Sequence, residues 1–377
     1  MTFRPSPGGS TAALALACLA AGLTTAAPAS SQPNQFRIVM PGQSIQAAID
    51  NAPSGATIRV HAGSYRQNLL ITKPLTLVGV GRVVLRPAGR IARNVCTEDA
   101  SEESRAAASV GVCIVGRLGE RGRDGERTVL KAVANVHLDG VEVSGFSEGV
   151  VAYGTRRLHV TRVTATDNSD VGIFTGAGSL TYVVGNNANS NGTSGIRIDT
   201  SQGVYVRRNT TVENGTGIGL NADRNGDVSD NNTSANCTGI LIFDTDEPSP
   251  TGTLKVQRNH VFRNNRFCPS DGGTPAISGI GIALLGTTAI HATQNTIEDN
   301  TASRDPKTGA QPDLGGGGLM LLDASKLTGG DTPRSNVIEQ NTFAGNLPLD
   351  ILWDGSGTGN MLTNNNCPLA NPSTACN

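Results

Sequence analysis

The chain has 377 residues, with 30 Lys and Arg against 31 Asp and Glu and a formal net charge of −1. That balance, with no basic stripe or acidic tail, excludes the usual signature of a nucleic-acid partner. Aromatics make up only 3% while Gly reaches 47 residues, so many turns and a core of small aliphatics are expected, in one large or two ordinary domains.

The N-terminus reads as an export signal. "MTFRPSPGGSTAA" carries one Arg, "LALACLAAGL" is a short apolar run, and Ala27 and Ala29 around Pro28 offer a small-x-small cleavage site. A signal peptide over 1–29 and a secreted, extracellular protein are therefore expected. The run is too short to span a bilayer, and no other apolar run is long enough, so no transmembrane segment is expected. Cys18 is a rival lipid-attachment site, but "ALAC" lacks the usual Leu three before the Cys. Six cysteines remain after cleavage, and an even number after export favours disulfides. Proximity pairs them as Cys96–Cys113, Cys237–Cys268 and Cys367–Cys376; no C-x-x-C pair favours a metal instead.

Residues 36–91 open with Ser44 as a helix N-cap before the short amphipathic "IQAAIDNA". Strands "TIRV", "NLLI" and "LTLVG" follow Gly55. Between Cys96 and Cys113 a polar Glu/Ser stretch reads as a disulfide loop, and "RLGERGRDGERTVL" as a charged hairpin or loop.

From residue 135 to 359 the sequence repeats. Asn pairs five apart recur at Asn186/Asn191, Asn209/Asn214, Asn231/Asn236, Asn259/Asn264, Asn295/Asn300 and Asn341/Asn346. Each precedes a short apolar strand, usually opened by Gly: "GIRID", "GIGLN", "GILIF", "GIALL", "GLMLL". Gly149, Gly172, Gly195, Gly217 and Gly239 are spaced 23, 23, 22 and 22. A fixed period in this range means a solenoid, and the apolar–polar alternation has strand period. The frame of a leucine-rich repeat is missing, and no recurring Gly-Asp spacing supports a Ca-binding roll. A parallel β-helix of about nine to ten coils remains, with the Asn residues at repeated corners where Asn and Gly supply left-handed backbone and stacked amides bond along the axis. A β-helix needs its raw ends capped; the helix after Ser44 and the tail 360–377, whose segment "CPLANPSTACN" (367–377) is closed by Cys367–Cys376, meet that need.

The stretch "SIQAAIDNAPSGATIRVHAGSYRQNLLITKPLTLVGVG" resembles the opening of right-handed parallel β-helix proteins of the pectin-lyase-like superfamily. "GIALLGT" and "DILWDGSGTGN" resemble secreted actinobacterial β-helix repeat proteins. The superfamily includes pectin methylesterases, polysaccharide lyases and a periplasmic protein that helps mature nitrous-oxide reductase. The resemblance spans nearly the whole mature chain and implies the fold, an all-β right-handed parallel β-helix with an N-terminal capping helix, in one domain over 36–377. It does not transfer a chemistry. The Gln-Asp-Thr segment of the methylesterases, the Asn-Thr-Asp and Gly-His-Gly segments of polygalacturonases and the Asp-Pro-His-Asp signature of alginate epimerases are all absent.

Side chains two and four after each Gly should face outward from one sheet. The first row reads Val151, Phe174, Arg197, Gly219, Leu241, Ala283, Met320, Leu352; the second Tyr153, Gly176, Asp199, Asn221, Phe243, Leu285, Leu322, Asp354. The face is polar around Arg197, Asp199 and Asn221, then apolar. An apolar outer face needs a cover or a partner. Insertions 266–278 and 301–314 on one edge, and 244–252 and 323–334 on the other, could cover it, wall a ligand groove or form a protein interface.

Arg197, Asp199, Asn221 and Asp244 are the candidate catalytic residues, with paired carboxylates for acid–base work on a glycosidic bond. Asp244, Asp246 and Glu247 in "FDTDEPSP" could hold Ca2+, a hard ion wanting oxygens; the same segment also reads as a solvated turn. His137 and His159 are 22 apart and could stack on adjacent coils, where two His could bind Cu or Zn. Trp353 is expected to pack in the core. The leading expectation is a monomeric secreted protein that binds a polysaccharide or cell-wall glycan without cleaving it, or serves as a rigid surface scaffold. The alternatives are a lyase or hydrolase acting on an acidic polysaccharide and a metal-handling accessory protein.

Overall fold

The computed structural model describes residues 36–89, 94–98, 109–121, 127–245, 250–270 and 275–377. The signal expected over 1–29, Cys18, and the Ca2+ candidates Asp246 and Glu247 lie outside the described residues.

Ser44 caps the first helix. Its hydroxyl accepts from the Ala47 N–H at 3.1 Å, and Ile45–Asn51 follows, with Ile45 and Ile49 buried in the core. The chain then winds into coils. In the first three, one long strand rounds the first corner unbroken: Ala56–Arg66, Leu75–Arg86 and Val133–Ser144. From residue 155 a left-handed corner residue splits it, as in Thr155–Thr161 and Thr164–Thr166, before a third strand, Val171–Gly176. These three strands define the first, second and third sheets. Each strand pairs in parallel with its counterpart one coil on, as in His159↔Tyr182, Thr164↔Asn187 and Ile173↔Ile196.

The third sheet has twelve strands; one, Phe267–Cys268, pairs antiparallel off the main path, which leaves eleven stacked in parallel. That exceeds the nine to ten coils counted from the period. The two earliest, between 56 and 115, lack the paired Asn residues that mark the later coils, and the second keeps only Gly111, in register with Gly149. Inward side chains are small and aliphatic: Ile173, Ile196, Ile218, Ile240 and Ile282 from the third sheet face Val183, Val206, Val228 and Val256 from the first, all fully buried in one apolar column. A narrow coil has no room for large aromatics, which accounts for their scarcity.

The Asn pairs build two buried ladders. One runs through Asn186, Asn209, Asn231, Asn259, Asn295, Asn341 and Asn365; the other through Asn168, Asn191, Asn214, Asn236, Asn264, Asn300 and Asn346. The expectation that Asn itself supplies the left-handed corner is corrected. The residue before each Asn does so: Arg208 at φ 53°, Glu213 at 60°, Asp230 at 57°, Ala235 at 54°. Such a conformation costs a residue with a Cβ roughly 1–2 kcal/mol. The neighbouring amide offsets it with a dense set of bonds, as Asn209 shows by donating to Asn231 and, at 2.9 Å, to the Val183 carbonyl.

All three disulfides join the cysteines paired by proximity. Cys96 lies on the short helix Val95–Glu98, and the charged segment after it forms an antiparallel hairpin, Arg117–Arg121 with Arg127–Lys131. Ala375, fully buried beside Cys367, closes the far end of the core.

Candidate functional site

The outer rows expected on the third sheet hold their register across every insertion. Val151 pairs with Phe174, then Arg197, Gly219, Leu241, Ala283, Met320 and Leu352 in turn; Tyr153, Gly176, Asp199, Asn221, Phe243, Leu285 and Leu322 form the second row.

Both ends of this face are covered. Near the N-terminus, Val110, Cys113, Val115 and Val151 pack with Val95, Cys96 and Leu118 of the disulfide segment and hairpin. Toward the C-terminus, Ile280, Ala283, Leu285 and Met320 pack against Ala324, which is fully buried and comes from insertion 323–334. The apolar half of the face is thus a second core under a lid.

Between the covers the face is open and polar. Arg197 Nε lies 3.1 and 3.0 Å from the two oxygens of Asp199, one coil from Asn221, whose Oδ1 accepts from Thr245 Oγ1 at 3.3 Å. Burial pushes the Asp199 carboxyl above the usual carboxylate range, against the pull of the Arg197 guanidinium. Gly219 lowers the floor on one side of the pair, while on the other the Tyr153 and Phe174 rings lie against Gly176. Half-exposed Tyr153 and Phe174 rise before it, and half-exposed Leu241 and Phe243 after it. The result is a charged island between two apolar shoulders.

Asp244 does not join this island. It follows outward-facing Phe243, so its side chain turns into the corner, where it is 2% exposed. One oxygen accepts from the Thr251 N–H at 2.7 Å and the other from the Asp331 N–H at 3.0 Å. It therefore ties two insertions to the solenoid.

Another carboxyl stands on the next coil from Asp199. Asp223 is fully buried beside the island; its Oδ1 accepts from the Ser201 N–H at 2.7 Å and its Oδ2 has no partner among the described residues. Burial pushes it well above the usual range, and nearby Asp199 adds to the shift. The signal available was position: Ser201 and Asp223 are 22 apart, at a third corner that carries no Asn there.

His137 and His159 are neighbours on adjacent coils, their rings 5.5 Å apart but tilted by 52°, and the row continues through Tyr182 and Tyr205, stacked at 4.6 and 4.8 Å. Adding 23 twice to 159 reaches both tyrosines. His137 Nε2 meets Thr161 Oγ1 at 2.8 Å, and among the described residues no group of three His, Cys, Asp or Glu could hold a metal. Trp353 packs against the core, as expected, and donates from Nε1 to the Ser356 carbonyl at 2.9 Å.

A family model described as "Right handed beta helix region" matches residues 126–252. No curated protein sequence matches the chain. Among solved structures, the A-module of the Azotobacter vinelandii mannuronan C-5 epimerase AlgE4 is similar over 86% of this chain and 90% of that one, with a TM-score of 0.53 and 20% identity. A double mutant of the periplasmic alginate epimerase AlgG is similar over 88% and 83%, with a TM-score of 0.50 and 15% identity. At such identities the likeness is one of fold. The fold is that of a right-handed parallel β-helix.

Proposed function

We propose that this is a secreted glycan-binding protein that holds a polysaccharide on the open stretch of its third sheet without cleaving it. The observation that carries this reading is the island itself. Arg197, Asp199 and Asn221 offer fixed donors and acceptors to sugar hydroxyls, and Tyr153, Phe174, Leu241 and Phe243 offer apolar shoulders to pyranose faces, the mixture expected of an orienting site. The two similar epimerases are by name enzymes of mannuronan or alginate, which supports a glycan as the ligand class. A binding role is favoured over hydrolysis because, among the described residues, Asp199 is engaged by Arg197, Asp244 by two backbone amides, and Asp223 is fully buried, so no exposed pair of free carboxyls flanks the face.

The test is incubation of the mature protein with a polysaccharide panel, with Ca2+ present, recording the bound fraction and the products by mass spectrometry. Retention of a glycan without products, weakened by Arg197→Ala, is expected. Shortened or unsaturated products that disappear in Asp199→Ala would establish an enzyme instead.

A further inference from the structure

The outer face of the first sheet carries a second feature. Its central row reads His137, His159, Tyr182, Tyr205, Asp227, Lys255, one residue per coil. From His159 to Tyr205 the rings stack on one another, and Arg207 sits over the Tyr205 ring at 5.0 Å, so the faces of the two tyrosines are occupied. At Asp227 the row drops. This side chain is short, 5% exposed, and held by Gln257 at 3.2 Å, Ser229 at 2.9 Å and Arg207 at 2.6 Å.

Beside the row runs a line of left-handed residues, Leu180, Gly203, Asn225 and Thr253, which turns the strand edge outward. Row and line enclose a trough of about 770 Å³ that runs along the solenoid axis. It extends from the coil of Arg156 to that of Lys255, four strand spacings, or about 19 Å at roughly 4.8 Å each.

We propose that this trough binds an anionic polysaccharide lying along the axis, independently of the island on the third sheet. Charge decides the ligand class. Of the three cations lining the trough, Arg207 is neutralised by Asp227, while Arg156 and Lys255 are exposed at opposite ends and have no ion-pair partner among the described residues. Between them, Gln202, the Tyr205 hydroxyl and Ser179 present hydrogen-bonding groups suited to sugar hydroxyls. A long, polar, open trough with cations at both ends matches a chain of sugars bearing repeated carboxylates or sulfates, and offers no enclosed pocket for a small molecule. Two binding faces on one rigid rod would let a single molecule hold two glycan strands.

The experiment is affinity electrophoresis of the full mature protein in gels containing polygalacturonate, dextran sulfate or neutral dextran. The Arg156→Ala/Lys255→Ala variant is compared with Arg197→Ala, after both are shown to melt like the parent. The double variant should lose about tenfold in affinity for the anionic gels, with retention reduced by added salt, while Arg197→Ala keeps the trough's share. Which anionic gel retains the protein identifies the charged group. Unchanged retention of the double variant, equal retention by neutral dextran, or loss confined to Arg197→Ala would overturn the trough. The last outcome would leave the third-sheet reading standing.

Discussion

Asn231 Oδ1 accepts both the backbone N–H and the Nδ2 of Asn209, each at 3.0 Å, inside a corner that water does not reach. Replacing Asn231 by Ala therefore orphans two buried donors, at about 1–3 kcal/mol each. A loss of about 2–5 kcal/mol is expected, read as a lowered urea midpoint and as faster amide exchange in the coils around residue 209. Asn360 Oδ1 makes the same two contacts to Asn336, at 3.0 and 2.9 Å, but Asn360 is half-exposed. Water can replace it there, so Asn360→Ala should cost under about 1 kcal/mol. Equal costs at the two positions would show that ladder bonding is not what the buried Asn residues contribute.

The fold was legible because a solenoid writes its geometry into the sequence once per coil. The 22–23 residue step and the Asn pairs located the corners, and the Gly frame placed Arg197, Gly219 and Leu241 in one row, which the pairings reproduce. Three things were not legible. Left-handed Arg208 and Glu213 carry no compositional mark, because the strain is absorbed by the next residue's side chain. Asp244 was grouped with nearby acids by proximity in sequence, although one step past an outward residue is enough to turn it inward. The trough on the first sheet arises from a line of left-handed residues and from the drop at Asp227 beyond the rings; both follow the coil period, but Leu180 and Thr253 carry no compositional mark of a left-handed backbone.

Asp223 gives a pH-dependence. Its folded carboxyl titrates well above the ordinary value because burial disfavours the charge. The folded state therefore holds a proton that the unfolded chain has released. The associated stability is present in full below the ordinary Asp range near 3.9 and is lost as pH rises through the folded value. Asp223→Asn keeps an acceptor for the Ser201 N–H and removes the charge. The variant should gain on the parent in melting temperature as pH rises from 4 to 8, with little difference at the acid end. A constant offset across that range would mean that Asp223 does not titrate in it.

Asp244 and Asp199 should behave oppositely. Asp244→Ala removes the acceptor of two amides, Thr251 and Asp331, and should cost about 2–4 kcal/mol. Limited proteolysis should then cut within 323–334, the insertion that this carboxylate anchors. Asp199→Ala breaks an ion pair whose Arg197 side chain is 42% exposed, so the stability change should stay under about 1 kcal/mol while glycan retention falls. Reversal of this pattern would make Asp199 the structural residue and reopen Asp244 as a functional one.

Gly219 and Gly217 separate binding from folding within a single strand. A Cβ on Gly217 would meet the Gly239 carbonyl oxygen at 2.5 Å and Thr211 Oγ1 at 2.6 Å, both fixed inside the coil. Gly217→Leu should therefore destabilise the solenoid severely, since overpacking alone typically costs about 1–3 kcal/mol where neighbours can shift, and these cannot. A Cβ on Gly219 points outward and meets nothing closer than Thr216 Cγ2 at 3.7 Å. Gly219→Leu should fold and melt like the parent. Its side chain would rise from the floor of the island between Arg197 and Leu241 and join the two apolar shoulders. If the island is where a glycan lies, retention through the third sheet should fall severalfold with the melting temperature unchanged. Unchanged retention in a folded Gly219→Leu protein would remove the ligand from this face, and anionic-glycan binding, if still present, would have to be carried by the trough on the first sheet.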